Sequence, residues 1–195
     1  MNSTANLHAR LEPSPWILRF AHLVPAGARV LDLACGYGRH ATFFAARGAH
    51  VIAIDRDATA LATLAGTPGI ETRCADLEGG PWPMANERFD AIVVSHYLHR
   101  PLFTQLRAAL ADDGALLYET FAQGNEAYGR PSNPAFLLRP GELLELAAAA
   151  PRPLAVVAFE QGVAHTAERP AVMQRLAAVG SARAWPPALP TGSAR

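Results

Sequence analysis

The sequence predicts an α/β fold, a mostly parallel, Rossmann-like sheet with helices on both faces. Three observations carry the prediction. Short apolar runs alternate with helical stretches along most of the chain, and the first run ends in a glycine-rich turn, Gly36-Tyr37-Gly38. An acid, Asp55, then follows the second run about twenty residues after that turn, the return distance of a strand-helix-strand unit.

The elements follow in order. Ser14 caps a first helix, Pro15 suits its first position, and Trp16, Phe20 and Leu23 make one apolar stripe. Residues 29–34 read as a buried strand, broken by the glycine turn. A helix over 39–47 stops at Gly48, a residue suited to the left-handed position after a helix. Residues 50–54 are a second strand, and Asp57 caps an alanine-rich helix that ends near Gly66. In a third strand Ile70, Thr72 and Cys74 share one face. Residues 89–95 are a fourth. Pro101 opens a helix with Leu102, Phe103, Leu106 and Leu110 on one side, and Asp113-Gly114 turns it into a fifth strand over 115–121. The polar, turn-rich stretch 123–138 interrupts the rhythm. Pro140-Gly141-Glu142 restarts a helix through Ala150, 154–159 is a sixth strand and 171–179 a seventh. Residues 1–180 are thus expected to form one domain with a flexible lead over 1–13, and 181–195 a disordered tail.

Composition narrows the function classes. All 17 cations are arginine, so the lysine-dependent chemistries of P-loops, kinases and pyridoxal phosphate enzymes are excluded. Seventeen acidic residues balance them, which removes the basic surplus that nucleic acids or anionic membranes need. Cys35 and Cys74 are too few for a disulfide framework or a closed zinc site, and no metal is expected. The first fifteen residues lack the order of a signal peptide and no apolar run is long enough to span a bilayer, so the cytoplasm is the expected location.

In a doubly wound sheet, ligands collect at the carboxyl ends of the strands. Gly36 and Gly38 let backbone approach a ligand there and aim a helix N-terminus at it. With Ala41 they also satisfy the loose dinucleotide pattern, so an NAD(P)-binding oxidoreductase is one reading. Against it stand Asp32 inside the first strand, the two residues Ala34-Cys35 that widen the bend, and the missing Tyr-x-x-x-Lys pair.

The run VLDLACGYGRH followed by HVIAIDRD resembles motif I and the second strand of the class I S-adenosylmethionine (SAM) methyltransferases, and the resemblance extends from about Pro15 to Gly180. It implies a seven-stranded sheet with the last strand antiparallel between five and six. It also implies SAM as cofactor and S-adenosylhomocysteine as product, held by Asp32, Ala34, Gly36, Gly38, Asp55, Arg56, Asp76, Leu77 and Ser95. Asp55 would take the ribose hydroxyls and Asp76 the adenine amine.

The acceptor side is read from the later loops. Ser95-His96-Tyr97 lacks the proline pair of amino-methylating nucleic-acid enzymes, and the Pro-Cys of cytosine carbon-5 enzymes is absent. A small-molecule acceptor is therefore expected, with a monomer or homodimer as the assembly. Length and the 123–138 insertion resemble the bacterial tellurite-resistance TehB-like group, in which a histidine and an arginine lie near the last hairpin; here these are His165 and Arg169, with Thr166 where that group pairs an arginine. His96, Tyr97, Arg130, His165 and Arg169 are the expected catalytic residues, with 123–138 as a substrate lid. His99 is a further polar candidate in the cleft. A SAM-binding module without catalysis remains a third reading.

Overall fold

Valine, isoleucine and leucine concentrate in four short runs whose alternate side chains are buried on both faces, the composition of central parallel strands. In the computed structural model, which describes residues 12–165 and 169–190, these are β1 (Arg29–Leu33), β2 (His50–Asp55), β4 (Phe89–Ser95) and β5 (Leu110–Phe121). β3 (Ile70–Cys74) is one edge. β6 (Ala155–His165) and β7 (Pro170–Val179) complete a sheet of order β3-β2-β1-β4-β5-β7-β6, with β7 antiparallel to both neighbours. An antiparallel strand at this place is the arrangement expected from the methyltransferase resemblance and departs from the all-parallel dinucleotide order.

Helices α1 (Pro15–Phe20), α2 (Arg39–Ala46), α3 (Ala58–Ala62), α4 (Phe103–Ala109) and α5 (Glu142–Ala148) cover the two faces. Trp16, Phe20 and Phe44 pack on Val30, Val93 and Leu117. On the opposite face Leu106, Leu143 and Leu146 pack on Leu31, Ile92 and Leu116. The expected caps are present: Ser14 Oγ accepts from Trp16 N, and Asp57 Oδ1 accepts from Thr59 N and Ala60 N.

Several segments differ from the sequence reading. β6 runs on to His165, because β7 offers a pairing partner along its whole length as far as His165 opposite Pro170. Its polar residues 160–161 are accommodated on an exposed edge strand. β5 starts at Leu110 and absorbs Ala111 to Gly114 in a register shift against β4. The 123–138 segment is closed at its base by the Ala122–Leu138 bridge, and Gln123 N donates to Leu138 O. Inside it Asn125, fully buried, donates to Pro131 O and accepts from Val172 N. Residues 181–190, expected as part of a disordered tail, form no helix or strand but are tied to the body. Arg183 donates to Leu23 O at 2.7 Å and Ala182 N donates to Asp112 O.

Candidate active site

After β1 the chain turns through Ala34, Gly36 and Gly38, all at positive φ. A Cβ on Gly38 would stand 2.4 Å from Leu64 Cδ1, so both conformation and space call for glycine there; on Gly36 it would meet nothing, and only conformation does. Asp55 at the end of β2 braces the turn. Its Oδ2 accepts from Gly36 N at 2.8 Å and its Oδ1 from Asp57 N at 2.9 Å, and each oxygen keeps a second lone pair for a ligand. After β3, Asp76 Oδ1 accepts from Glu78 N, a bond that holds this carboxyl below the usual range.

These pieces surround a cleft of about 180 Å³ lined by Ala34, Asp55, Arg56, Asp76, Leu77 and Tyr97. The first five are among the residues expected to hold the cofactor. Tyr97, expected on the acceptor side, faces this cleft instead. Its buried hydroxyl lacks a hydrogen-bond partner of good geometry, while burial and, after it, nearby Glu78 push its pKa up. A pair of strand-end acids, a glycine turn with no side chain in the way and an orphan hydroxyl together suit a nucleoside, which offers hydroxyls, an amine and ring acceptors.

Asp32, Gly38 and Ser95 do not line this cleft. Asp32 is 1% exposed and lies under the turn, where its Oδ2 accepts from Ala41 N at 2.8 Å and secures the first turn of α2. Burial pushes its carboxyl up to about 7. Gly38 is the N-cap of α2, and Ser95 Oγ lies in a chain of hydrogen bonds, accepting from Arg39 and donating to Glu119.

On the other side of the same turn opens a larger cleft of about 760 Å³. Its rim includes Cys35, Gly36, His96, Phe121, His165 and Arg169. His96 has φ 57° and stacks on Phe121 with ring centroids 5.0 Å apart. Three expected acceptor-side residues, His96, His165 and Arg169, are thus brought together. Arg130 is not. No residue of 123–138 lines either cleft, and the carbonyls of Tyr128 and Arg130 accept hydrogen bonds from Arg169. Arg100 likewise donates to Ala135 O and Leu137 O. Carbonyls of the loop are thus held from two sides, by Arg169 at the start of the β7 arm and by Arg100 ahead of α4. His99 also lies outside both linings.

The wall facing the cleft comes from residues 12–18, which the sequence reading did not include. Ser14 N donates to His40 Nε2 at 3.2 Å, both residues being buried, and Trp16 Nε1 donates to Leu176 O. Burial holds His40 neutral, its pKa near 3, as an acceptor must be. Arg39, Glu119 and Arg175 also line the cleft and were missed. Glu119 is 2% exposed and pairs across the sheet with Arg175, which pairs with Glu160, so one row carries acid, base and acid in register. An acid in the apolar run of β5 and an arginine inside β7 were the available signals. Among the described residues no group of three His, Cys, Asp or Glu is placed to hold a metal, and no helix is long and apolar enough to cross a membrane.

Residues 30–114 match the family model of the methyltransferase domain. No curated protein sequence matches the chain. Among solved structures it is similar to TehB from Haemophilus influenzae, at 18% identity and TM-score 0.69 over 85% of this chain; it spans 61% of that protein's length. It is similar to an S-adenosylmethionine-dependent methyltransferase from Mesorhizobium loti, at 20% identity and TM-score 0.65, covering 87% of this chain and 99% of that one. A third likeness is the Burkholderia thailandensis 1,6-didemethyltoxoflavin-N1-methyltransferase, solved with 1,6-didemethyltoxoflavin and S-adenosylhomocysteine, at 21% identity, TM-score 0.62 and coverage of 92% and 81%. The chain carries a methyltransferase domain over residues 30–114, on the fold of the class I S-adenosylmethionine-dependent methyltransferases, and resembles TehB.

Proposed function

We propose that this chain transfers the methyl group of SAM to a small molecule held in the larger cleft, releasing S-adenosylhomocysteine. One observation carries the reading: the two clefts flank the same turn. Ala34 lines one while Cys35 and Gly36 line the other, and Tyr97 and His96 are divided in the same way. A ligand with its nucleoside in the small cleft reaches the large one past Gly36, which has no side chain to block it.

Asp55 would accept the ribose hydroxyls, Asp76 the adenine amine, and the Tyr97 hydroxyl would gain the partner it lacks. SAM, when bound, supplies an activated methyl on a sulfonium, so the protein's main task is alignment, worth up to ~7–11 kcal/mol. His96, fixed against Phe121, and His165 across the cleft are the groups able to take a proton from the acceptor. A cleft of about 760 Å³ on a chain with no net charge suits a small acceptor better than a nucleic acid.

The test is ligand-dependent melting. SAM or S-adenosylhomocysteine at ~100 times its dissociation constant adds about 2.7 kcal/mol, a rise of roughly 5–11 °C for a chain of this size. NAD and NADP should give no rise. A rise with the dinucleotides alone would overturn the reading. Turnover is then sought as S-adenosylhomocysteine release with thiols, oxyanions and small carboxylates; release with none of them would favour a binding module.

A further inference from the structure

We propose that the groove between α4 and α5 is a second ligand site, one that takes a small organic carboxylate with an alkyl or aryl body. The groove encloses about 420 Å³, within the size range of small-molecule sites, and shares no lining residue with either cleft. Phe103, Ala108, Leu146 and Pro151 give it an apolar lining. Four arginines also line it, at 100, 107, 139 and 152, against two acids, Glu142 and Glu145.

These charges are unevenly answered along the groove. Toward the N-termini of the two helices Arg100 pairs with Glu142 at 2.6 Å and Arg139 with Glu145 at 2.7 Å. Toward their C-termini Arg107 and Arg152 face each other, each donating to the other's main-chain carbonyl. Arg152 has an acid of its own, Asp112. Arg107 pairs with no carboxylate among the described residues, and its other bond goes to Leu146 O at 2.8 Å in the last turn of α5. The partial negative charge at the end of so short a helix offsets only part of a full cation. Burial and, after it, Arg152 hold the Arg107 guanidinium below the usual arginine range, whereas Glu142 raises Arg100. Two carbonyls take two of its five N–H donors, which leaves donors for a carboxylate, the group a planar guanidinium pairs best. The apolar lining beside it favours a ligand whose remainder is hydrocarbon over a bare inorganic anion.

The experiment titrates phenylbutyrate, its neutral amide and inorganic phosphate into the protein at low salt, by calorimetry. Wild type should bind the carboxylate about ten- to a hundredfold more tightly than the amide, and phosphate more weakly than the carboxylate. Arg107→Met should bring the carboxylate to within about twofold of the amide. Thr104→Trp, which adds bulk at an exposed position of the groove, should weaken both by about tenfold or more. Melting curves without ligand check that the variants fold, and Thr104→Trp decides alone if losing the Arg107 bonds unfolds the chain. The proposal is overturned if wild type does not bind the carboxylate, or binds the amide or phosphate as tightly. It is equally overturned if the carboxylate's affinity survives either substitution in a folded protein, because the anion then sits elsewhere. Neither residue lines the two clefts, so none of these outcomes touches the cofactor reading.

Discussion

The small cleft and the large one touch the same turn, yet they are built by different means. The first takes its lining from strand ends and the residues just after them, at 34, 55–56, 75–78 and 97. Its key groups are held by backbone amides: Gly36 N and Asp57 N on Asp55, Glu78 N on Asp76. The second gathers side chains from five separate stretches, 12–18, 35–39, 96, 119–121 and 165–175. These are held by side chains from other elements, as Ser95 holds Arg39 and Arg175 faces Glu119. A site made from local turns tolerates loss of one group without loss of the fold, whereas a site made from a buried charge row does not.

That difference predicts the largest effect on the acceptor side. Glu119→Ala leaves Arg175 facing a gap, with Glu160 as its remaining acid. Removing one member of a buried pair costs about 3–5 kcal/mol, and the surviving Glu160 contact puts the expectation near the lower end, ~3 kcal/mol by urea unfolding. A cost below ~1 kcal/mol would mean that the row is solvated and not part of the wall. Asp55→Ala should behave in the opposite way. Unfolding changes little, while affinity for S-adenosylhomocysteine falls ten- to more than a hundredfold, the equivalent of roughly 1.5–3 kcal/mol. Unchanged affinity would reduce Asp55 to a brace for the glycine turn.

The same contrast explains what the sequence disclosed. Asp55, Asp76, Gly36 and Gly38 were legible because strand-turn-helix grammar is local, and the turn carries its meaning within a few residues. The strand order followed from the family resemblance, and the faces of the strands from alternation. Asp32 was legible as an acid out of place in an apolar strand, either on the cofactor or buried on loop amides; that its partner is Ala41 N, nine residues on, was not. The wall over 12–18 depends on His40 reaching Ser14 across 26 residues, a contact that no periodicity announces. Arg130, which lines neither cleft, shows the reverse limit. A polar loop with an aromatic and an arginine has the composition of a lid, whether or not other residues occupy its carbonyls.

Beneath the turn, two buried groups should shape the pH dependence of stability with opposite signs. Asp32 titrates near 7 in the folded protein against 3.8 ordinarily, so the folded state keeps a proton that the unfolded chain has lost. Its contribution is complete below about 4 and disappears as pH rises to about 7. His40 titrates near 3 against 6.5, so its contribution is complete above 6.5 and disappears as pH falls toward 3. Between about 4 and 6.5 the two slopes oppose each other. Relative to wild type, Asp32→Asn should then gain stability with rising pH, and His40→Gln should lose it, by up to ~1.4 kcal/mol per pH unit each. Denaturant midpoints across that range read this directly, and parallel profiles would contradict it.

The smallest effect is expected where the sequence suggested a large one. Arg130→Ala removes an exposed side chain that lines neither cleft and keeps the carbonyl that Arg169 uses. Stability should stay within about 0.5 kcal/mol. Affinity for S-adenosylhomocysteine should stay within about twofold, since no contact to either cleft is removed. A loss of turnover in this variant would restore the loop to the acceptor site.

The central claim is that one ligand spans both clefts across the Gly36 turn, and a crystal structure with S-adenosylhomocysteine tests it most directly. The account predicts the ribose on Asp55, the adenine between Asp76 and Tyr97, and the amino-acid end beyond Gly36 in the larger cleft. A nucleoside seated in the larger cleft, or a ligand bound away from the turn altogether, would contradict it.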